Sequence, residues 1–401
     1  MQLTADHLNR ATLDRQSLLR RKPDRVVDAV RAAVAVQAQS PASPYIGLWN
    51  RVADFDPADL DVAFTAYDLV RGNPVRMTLH AVAAADYRPF REATEPSLYA
   101  AKLGSRIVEA GITAAEAARH AADLLAFATE PRTARDCEAL LAERLGPDTA
   151  KAAWPGIRQY APLLRVPLGG PWQFNEKVAY LAPPDRPALG DRDAADTALA
   201  GLILRYLAGF GPASIPDIAQ FAMVQRARVK QAVKALGDRL NEHTGPNGTG
   251  HAGDVLYDLP EAAIPDPETP APPRLMAMWD NVFLAHHDRS RTIPADLRTT
   301  VIRSNGDVLP MILVDGRAAG VWRTTPAGIE ATAFRPLTGD DWTGLAAEAA
   351  ALTAFLADRD PDAYSRYHHW WPRLPEGETV LLAPRLRFRP RPRPRTGRSP
   401  P

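Results

Sequence analysis

The chain has 401 residues, of which 46% are hydrophobic and 24% are charged. This composition is typical of a globular protein with two or three domains, and it excludes a mainly disordered chain. The formal net charge is only +1, so any surface that binds a polyanion must come from a local concentration of basic residues.

The amino terminus and the cysteine content bear on the cellular compartment. The first residues, "MQLTADHLNR", are polar, and no apolar run approaches the length of a membrane span. Cys137 is the only cysteine, which excludes an internal disulfide and a cysteine-based zinc site. We therefore expect a cytoplasmic protein without a membrane partner.

The first block, residues 1–185, is predicted to be mostly helical. Apolar residues recur there at steps of three and four, and prolines and glycines interrupt the pattern. In chain order we predict helices over residues 5–20 and 23–39, alanine-rich helices up to residue 145, short strands within residues 161–170, and a proline-rich linker over residues 181–193.

The end of the second predicted helix carries the sequence "VQAQSPASP". Val27, Val30 and Val34 form an apolar stripe on this helix. Gln37 is next on the stripe, whereas Gln39 points about 200° away from Gln37 if the helix continues. The prolines that follow end the helix. Two neutral amides at a helix end, one on the buried face and one off it, are unlike a scaffold and mark a candidate site.

The second block, residues 194–259, has the pattern of a winged helix. A helix, a Gly-Pro turn, a short helix, a turn and a further helix predict a helix-turn-helix. Two short extended runs around a glycine-rich loop then predict a wing. The expected recognition helix, residues 224–236, carries the basic residues Arg226, Arg228, Lys230 and Lys234. These charges form either a DNA-binding face or a solvated face, and winged-helix modules also serve as adaptors between proteins.

The third block, residues 275–390, follows a stiff proline-rich linker over residues 260–274. Its three extended runs are joined by Asn305-Gly306 and Asp315-Gly316, two-residue turns that favour tight hairpins, and they predict an antiparallel meander. A helix near residues 342–357 and a strand near residues 379–389 complete the block. The basic tail, residues 391–401, is predicted to be disordered and able to bind phosphate non-specifically.

The common catalytic signatures are missing from the sequence. It contains no dinucleotide-binding glycine pattern, no phosphate-binding P-loop, no nucleophile elbow and no H-E-x-x-H. The histidines include two adjacent pairs, His286-His287 and His368-His369. Neighbours in sequence rarely converge on one metal ion, so we expect neither a metal nor a cofactor.

Two further polar segments are candidates for function. In "NPVRMTLHAV", Arg76, Thr78 and His80 alternate along a predicted strand and would share one side of it. In "WDNVFLAHHDRSRTIP", two histidines, an aspartate and two arginines follow an apolar run. Each segment is open to a simpler interpretation, as a solvated strand face or as the polar end of a core segment.

Taken together, these segments resemble a known protein family. "VQAQSP", "RMTLH", "HHDRSR" and "DGRAAGVWR" are similar to the AlkZ/YcaQ-type bacterial DNA glycosylases, and they occur in the family's order over about residues 5–390. The resemblance implies an α+β, predominantly helical fold. It also implies tandem winged-helix motifs, three of them expected, with a carboxy-terminal β-meander and a concave DNA-binding surface.

The resemblance also implies an activity and a site. The family's catalytic motif is glutamine, an apolar residue, then glutamine or aspartate. Gln37, Ala38 and Gln39 match its double-glutamine form, which is found in the antibiotic self-resistance branch. This implies monofunctional excision of alkylated purines from double-stranded DNA by a monomer, without cofactor or protein partner, and extends to bulky adducts and interstrand crosslinks. The implied DNA-binding residues are Ser40, Arg76, Thr78, His80, His286, His287, Asp288, Arg289, Arg291, Arg317 and Arg323.

The glutamines suit such chemistry if the leaving base is already activated. Hydrolysis of a glycosidic bond passes through an oxocarbenium-like sugar, with water arriving on the face opposite the departing base. An amide cannot act as a general base, but its carbonyl oxygen can hold the water and face the developing positive charge. The negative end of a helix would favour the same cation. A purine alkylated on a ring nitrogen is cationic and departs as a neutral base.

Two other classes of protein remain open at this point. A winged-helix transcription regulator would dimerise and bind a repeated site, but it leaves the glutamine pair unexplained. A non-catalytic lesion-binding or structural protein would use Gln37 only to satisfy buried backbone groups.

Overall fold

The computed structural model describes residues 2–98, 107–174, 177–246 and 255–385. This part of the chain is α+β with antiparallel sheets, as predicted. The helices before residue 185 are α1 (Ala5–Arg15), α2 (Val26–Ala32), α3 (Ser43–Trp49), α4 (Pro57–Thr65), α5 (Ala84–Leu98), α6 (Ala114–Phe127), α7 (Ala134–Leu145) and α8 (Pro147–Tyr160). The later helices are α9 (Arg192–Phe210), α10 (Ile215–Ala222), α11 (Arg226–Leu236), α12 (Arg298–Val301) and α13 (Gly339–Ala357).

Local sequence signals set several of these helix ends. Capping boxes, in which a Ser or Thr side chain accepts the amide of the third helical residue, begin α1, α6, α7, α10 and α13. Helix α1 ends at Arg15 and not at residue 20, because Ser17 adopts a left-handed conformation with φ 55°. None of the helices in the described ranges is both long and apolar enough to cross a membrane.

A six-stranded antiparallel sheet runs through the first block. Its spatial order is β1-β3-β2-β5-β6-β4. The sequence predicted only short pieces of it, the one within residues 161–170 being confirmed by β5. The strands are β1 (Val36–Gln37), β2 (Leu69–Gly72), β3 (His80–Ala83), β4 (Arg132–Thr133), β5 (Leu164–Arg165) and β6 (Ala179–Leu181).

The predicted helix over residues 23–39 is wrong at its carboxy-terminal end. Helix α2 stops at Ala32, Val34 has φ 67°, and Gln37 lies on strand β1. The reason is tertiary: Val34 packs in one hydrophobic core with Phe210, whereas Val36 packs in another with the carboxy-terminal sheet. No single helical stripe can serve both cores, so the chain turns and becomes extended.

The predicted strand through Arg76 and Thr78 is also wrong. Strands β2 and β3 pair antiparallel, with Gly72 opposite His80, and the residues between them form the connecting loop. Arg76 and Met77 have φ values of 53° and 56°, which are incompatible with a strand. Only His80 of the three predicted residues therefore lies on a strand.

The second block has the predicted order of elements. Helices α9, α10 and α11 are followed by an antiparallel hairpin of β7 (Asn241–Thr244) and β8 (Val255–Asp258). The glycine-rich loop of this wing falls mostly on residues 247–254, outside the described residues. The order is that of one winged helix. The expected total of three such motifs and the concave surface stay predictions.

The third block contains the predicted meander in an extended form. Its consecutive antiparallel strands are β9 (Arg274–Leu275), β10 (Met311–Val314), β11 (Arg317–Thr325), β12 (Gly328–Ala333) and β13 (Glu378–Pro384). Asp315 and Gly316 form the predicted turn, with φ values of 50° and 72°. The run before Asn305-Gly306 is wrong as a strand, because it forms helix α12 and leaves a single bridge from Ile302 to Val308. Strand β12 was not predicted, and the tail over residues 391–401 lies outside the described residues.

The first helix is joined to the last sheet. Asn9 Nδ2 donates to the carbonyl oxygens of Arg291 and Gly316, at 2.5 and 2.9 Å. A Cβ built on Gly316 would lie 2.6 Å from Asn9 Oδ1, so only glycine fits this turn against α1. Arg10 also pairs with Asp315. Residues far apart in sequence therefore join helix α1 to the carboxy-terminal sheet at this turn.

Candidate active site

Gln37 and Gln39 lie on either side of a buried boundary. The Gln37 side chain is buried on β1, opposite His80 of β3, whereas Gln39 is exposed. The Gln39 backbone amide donates to Gln37 Oε1 at 2.6 Å. Gln37 therefore holds the backbone that presents Gln39. One amide is buried and the other is exposed, as predicted, although Gln37 lies on a strand and not at a helix end.

Both peptide groups of Ala38, between the glutamines, are also held. Its amide donates to the Leu79 carbonyl oxygen at 2.9 Å. Its carbonyl oxygen accepts from Arg71 Nε at 3.0 Å and from Arg71 Nη2 at 2.8 Å. A two-pronged guanidinium contact fixes both distance and orientation. The Gln37–Gln39 backbone is thus pre-positioned without any ligand.

An open cleft of about 530 Å³ lies beside Gln39. We call it the Gln39 cleft. One wall comes from the six-stranded sheet and α8, and the other from the segment before and within the 3₁₀ turn Ser365–Arg373. Side chains that line it include Gln39, Ser40, Arg71, Arg158, Arg165 and Trp172.

The inner side of Gln37 faces a closed polar layer. The cavity there has a volume of only about 10 Å³ and is lined partly by Gln37, Arg51 and Asp280. Arg51 and Asp280 form a buried two-pronged ion pair with both N–O distances at 2.8 Å. Such a cavity holds at most about one water molecule. Gln37 therefore cannot meet a nucleotide from this side.

A hydrogen-bonded group beneath the motif contains two of the predicted DNA-binding residues. Arg76 Nη2 donates to Asn281 Oδ1 and lies 3.2 Å from His80 Nε2, and Asn281 Nδ2 donates to the Ala35 carbonyl oxygen. His80 is fully buried, and burial together with the Arg76 charge lowers its pKa to about 3. His80 is therefore neutral at pH 7. Thr78 lies half-buried in the loop, and its carbonyl oxygen contacts His80 Nδ1.

The 286–291 segment, the histidine- and arginine-rich stretch singled out from the sequence, is only partly exposed. His286 is buried with Nε2 2.9 Å from the Phe210 carbonyl oxygen, and burial together with Arg291 lowers its pKa to about 3. Arg291 is also buried, and its guanidinium lies 3.9 Å from the buried Asp217 carboxylate. Both His286 and Arg291 are buried and neither lines the Gln39 cleft, so we leave both out of the proposed DNA-binding surface.

The remaining residues of that segment are accessible. His287 is exposed, and Asp288 and Arg289 are half-buried. Asp288 accepts from the amide and the hydroxyl of Ser290, which closes a local turn. Burial and the Arg298 charge lower the pKa of Arg289.

Helix α11 presents a basic face next to this segment. Arg226, Lys230 and Lys234 are exposed and recur every four residues, so they share one face. Arg226 Nη2 lies 3.4 Å from His287 Nε2. Arg228 instead pairs with Asp196 at 2.6 Å.

Arg317 and Arg323 of strand β11 are engaged in ion pairs. Arg317 Nη2 lies 2.6 Å from Asp6 Oδ1, and Arg323 Nε donates to Glu330 at 2.7 Å. Neither residue lines the Gln39 cleft. The structure thus brings Gln39 and Ser40 to the cleft and leaves these two arginines elsewhere.

Several cleft residues were missed by sequence analysis. Arg71, Arg158, Arg165 and Trp172 lie far apart in sequence and meet only in the fold. The one available signal was an arginine inside an apolar run, as in "DLVRG" for Arg71 and "PLLRVPL" for Arg165. In the described ranges no three His, Cys, Asp or Glu side chains come together as possible metal ligands.

The similarity to known proteins indicates the class of protein to which the chain belongs. The chain has the fold of a DNA glycosylase, AlkZ of Streptomyces sahachiroi, with a TM-score of 0.75 at 19% identity over 88% of this chain and 96% of that one. A curated relative named "Interstrand DNA cross-link repair glycosylase", also from Streptomyces sahachiroi, is 28% identical over 141 residues. That alignment spans 35% of this chain and 38% of the relative.

The family follows from a longer match. The model of the family described as DNA glycosylase AlkZ-like matches residues 30–355. The chain therefore belongs to the AlkZ-like DNA glycosylase family, which confirms the resemblance read from the sequence. The match does not favour the alternative of a transcription regulator.

Proposed function

We propose that this protein is a monofunctional DNA glycosylase that hydrolyses the N-glycosidic bond of alkylated, cationic purines in double-stranded DNA. It acts as a monomer, without cofactor, in DNA repair or antibiotic self-resistance, and its substrates include bulky adducts and interstrand crosslinks. Family membership and the name of the curated relative support this reaction class.

The observation that carries the proposal is the presentation of Gln39. An exposed neutral amide stands at an open cleft on a backbone fixed by Gln37 and Arg71. A rigid dipole needs no reorganisation when charge develops in the transition state. This rigidity is what the hydrolysis of a glycosidic bond requires of a residue that is not a base.

The two glutamines have different roles in the proposed mechanism. The Gln39 amide oxygen accepts a hydrogen bond from the attacking water and faces the cationic sugar. Gln37 is a positioning residue, because its own amide oxygen is engaged by the Gln39 backbone. The negative end of a helix takes no part, since Gln37 lies on strand β1.

The leaving group supplies much of the driving force. No general base is assigned to the attacking water. The nucleobase must therefore be a good leaving group, as a purine alkylated on a ring nitrogen is. Among the described residues that line the cleft there is no lysine. A Schiff base with the sugar is therefore not part of the mechanism, and the product is an intact abasic site.

The shape of the cleft bears on the size of the substrate. Many glycosylases flip the target nucleotide into a closed pocket. The Gln39 cleft is open, so a bulky adduct or a crosslinked partner strand can project from it. The exposed arginine and lysines of α11, with His287 and Arg289, are the proposed contacts to the DNA backbone.

The test is incubation with a duplex that carries one 7-methylguanine, with a chelator present and no nucleotide added. We expect free methylated base and an abasic site in an unbroken strand. Borohydride trapping of a protein–DNA adduct would contradict the monofunctional mechanism. Loss of activity with the chelator would contradict metal-free chemistry, and no release by intact, folded protein would overturn the proposal.

A further inference from the structure

Two arginines face each other across neighbouring strands in the Gln39 cleft. Arg71 of β2 pairs directly opposite Arg165 of β5, so their side chains share one face of the sheet. Like charges in directly opposed positions destabilise a sheet. Arg158 on α8 adds a third positive charge to the same cleft.

None of these three arginines is neutralised within the part of the chain that the structure describes. They form no ion pair with a carboxylate there, and Arg165 Nη1 is buried without a hydrogen-bond partner. The opposite wall carries two carboxylates, and both have partners other than these three arginines. Asp360 accepts from Trp172 Nε1 at 2.9 Å, and Asp362 pairs with Arg385 at 3.1 Å.

The guanidinium groups are also held in fixed planes. Arg71 lies 4.6 Å from the centre of the Phe174 ring, and Arg165 lies 4.1 Å from that of Tyr180. Burial and the charge of Arg165 lower the pKa of Arg71 to about 9. Burial likewise lowers the pKa of Arg165, and the Arg158 charge contributes to that lowering. Costly charges in a preorganised arrangement point to an anionic ligand.

We propose that Arg71, Arg158 and Arg165 bind a phosphodiester of the lesion strand, next to the nucleotide whose deoxyribose faces Gln39. This inference rests on the proposed function and names a phosphate subsite of the same cleft. A planar guanidinium suits the oxygens of a phosphate, and a bound phosphate relieves the repulsion among the three cations. Arg71 also holds the Ala38 carbonyl oxygen, so one side chain connects this subsite to the glutamine motif.

The experiment removes the charge of one phosphate at a time. A duplex carries a tetrahydrofuran abasic-site analogue, which cannot be excised, and a single neutral methylphosphonate at each flanking position in turn. The dissociation constant is measured for the wild type, Arg165→Ala and Arg165→Lys. The control is Arg119→Ala, which removes an exposed arginine outside the cleft. Thermal melting reports the fold of each variant.

For one position we expect the methylphosphonate to weaken wild-type binding about tenfold, the effect of one charge-assisted hydrogen bond. The same substitution weakens Arg165→Ala binding by clearly less than tenfold, because one of the three arginines that contact this phosphate is already lost. Arg165→Lys retains part of the sensitivity, and the control behaves as wild type. If Arg165→Ala has a lower melting temperature than the wild type, Arg158→Ala provides the same test, because Arg158 on helix α8 is only half-buried.

The proposal is overturned if the arginine variants keep the full methylphosphonate effect at every position, or if they bind as tightly as the wild type. Excision of 7-methylguanine is measured in parallel to separate this result from the proposed function. Coupling without excision refutes the glycosylase and leaves the phosphate subsite. Excision without coupling refutes the subsite and leaves the glycosylase.

Discussion

The 286–291 segment and the Gln39 cleft are both rich in basic side chains, but the two sets of side chains have different partners. In the 286–291 segment, His286 is turned to a backbone carbonyl and Arg291 to the buried Asp217. In the cleft, Arg71 and Arg165 oppose each other and have no carboxylate partner among the described residues. In the dense cluster of the sequence, His286 and Arg291 are internal, whereas the arginines scattered along the chain line the open cleft.

Counter-ions thus decide whether a basic residue is available to a ligand. A buried cation with a carboxylate partner stabilises the fold only as a pair, and loss of one partner leaves an uncompensated charge. A buried cation without a partner lowers the stability of the folded protein until an anion binds to it. Substitutions at single residues test this contrast between paired and unpaired cations, and the one expected to cost most is at Arg291.

Arg291→Ala tests the internal region. It leaves the Asp217 carboxylate buried without this cation, so the free energy of unfolding should fall by about 3–5 kcal/mol, the range for a broken buried pair. Urea denaturation measures the change. The exposed pair partner Arg25, changed to alanine, is the control and should alter stability little. A stable Arg291→Ala variant with weaker DNA binding would contradict the contrast.

Gln39→Ala tests the open region. The excision rate should fall by about 10–10³-fold, the scale of one preorganised dipole, while DNA affinity and melting temperature stay near those of the wild type. Single-turnover kinetics separate the rate from binding. Gln39→Asp adds a general base and a negative charge, so it should retain activity. Equal rates for wild type and Gln39→Ala would remove the glutamine from the mechanism.

The buried histidines should make the protein sensitive to mild acid. His80 has its folded-state pKa lowered to about 3, so the unfolded chain takes up a proton near pH 6.5 that the folded chain refuses. Stability is thus retained above pH 6.5 and is lost as the pH falls from there towards 3. Between pH 8 and pH 5 one such histidine accounts for about 2 kcal/mol.

The measurement is the free energy of unfolding in urea across that pH range. His80→Asn should flatten the pH dependence of the free energy of unfolding by one histidine's share. A His80→Asn variant with the wild-type slope would show that this histidine already titrates normally in the folded protein.

Gln37→Ala tests the residue that lies between the two regions. It removes the acceptor of the Gln39 amide, so we expect a loss of about 1 kcal/mol in unfolding free energy and a slower excision rate with unchanged DNA affinity. The double variant with Gln39→Ala should cost less than the product of the single effects, because Gln37 acts on the reaction through the position of Gln39. If Gln37→Ala unfolds early yet excises normally when cold, Gln37 is only a core amide.

Arg289→Ala is expected to have the smallest effect. Arg289 is half-buried and belongs to the accessible part of the 286–291 segment. Its loss should lower the salt dependence of DNA binding by about one phosphate contact, a change of about 0.9 in the log–log slope. Binding titrations at several salt concentrations measure this slope. An unchanged slope with a lower melting temperature would assign Arg289 to the internal group.

Local signals predicted the local parts of the fold. The Asp315-Gly316 turn needed two positive φ values, which those residue types supply, and the hairpin formed there. The capped helix α13 and the wing hairpin were equally local. The end of α2 could not be predicted from local signals, because Val34 and Val36 pack in different cores. The periodicity of the sequence does not indicate which core each residue joins.

The candidate site was predictable only in part. The glutamine motif drew attention by its chemistry, and Gln39 does stand at a cleft. The apolar stripe placed Gln37 on a buried face, which the structure confirms, but its place on strand β1 opposite His80 depends on the pairing of β1 with β3. Arg71 and Arg165 carried a weak signal as lone charges in apolar runs. Their lack of carboxylate partners is a property of the assembled fold and of no single segment.

The contact of α1 with the turn at Gly316 has a consequence for protein synthesis. Asn9 donates to the backbone of residues that follow it by 282 and 307 positions. The first helix therefore leaves the ribosome long before its partners are translated, with the polar side chains of Asn9 and Arg10 still in water. The contacts between helix α1 and the turn at Gly316 therefore form late in synthesis. Nascent chains that stop before residue 316 should remain sensitive to proteases at their amino-terminal helix.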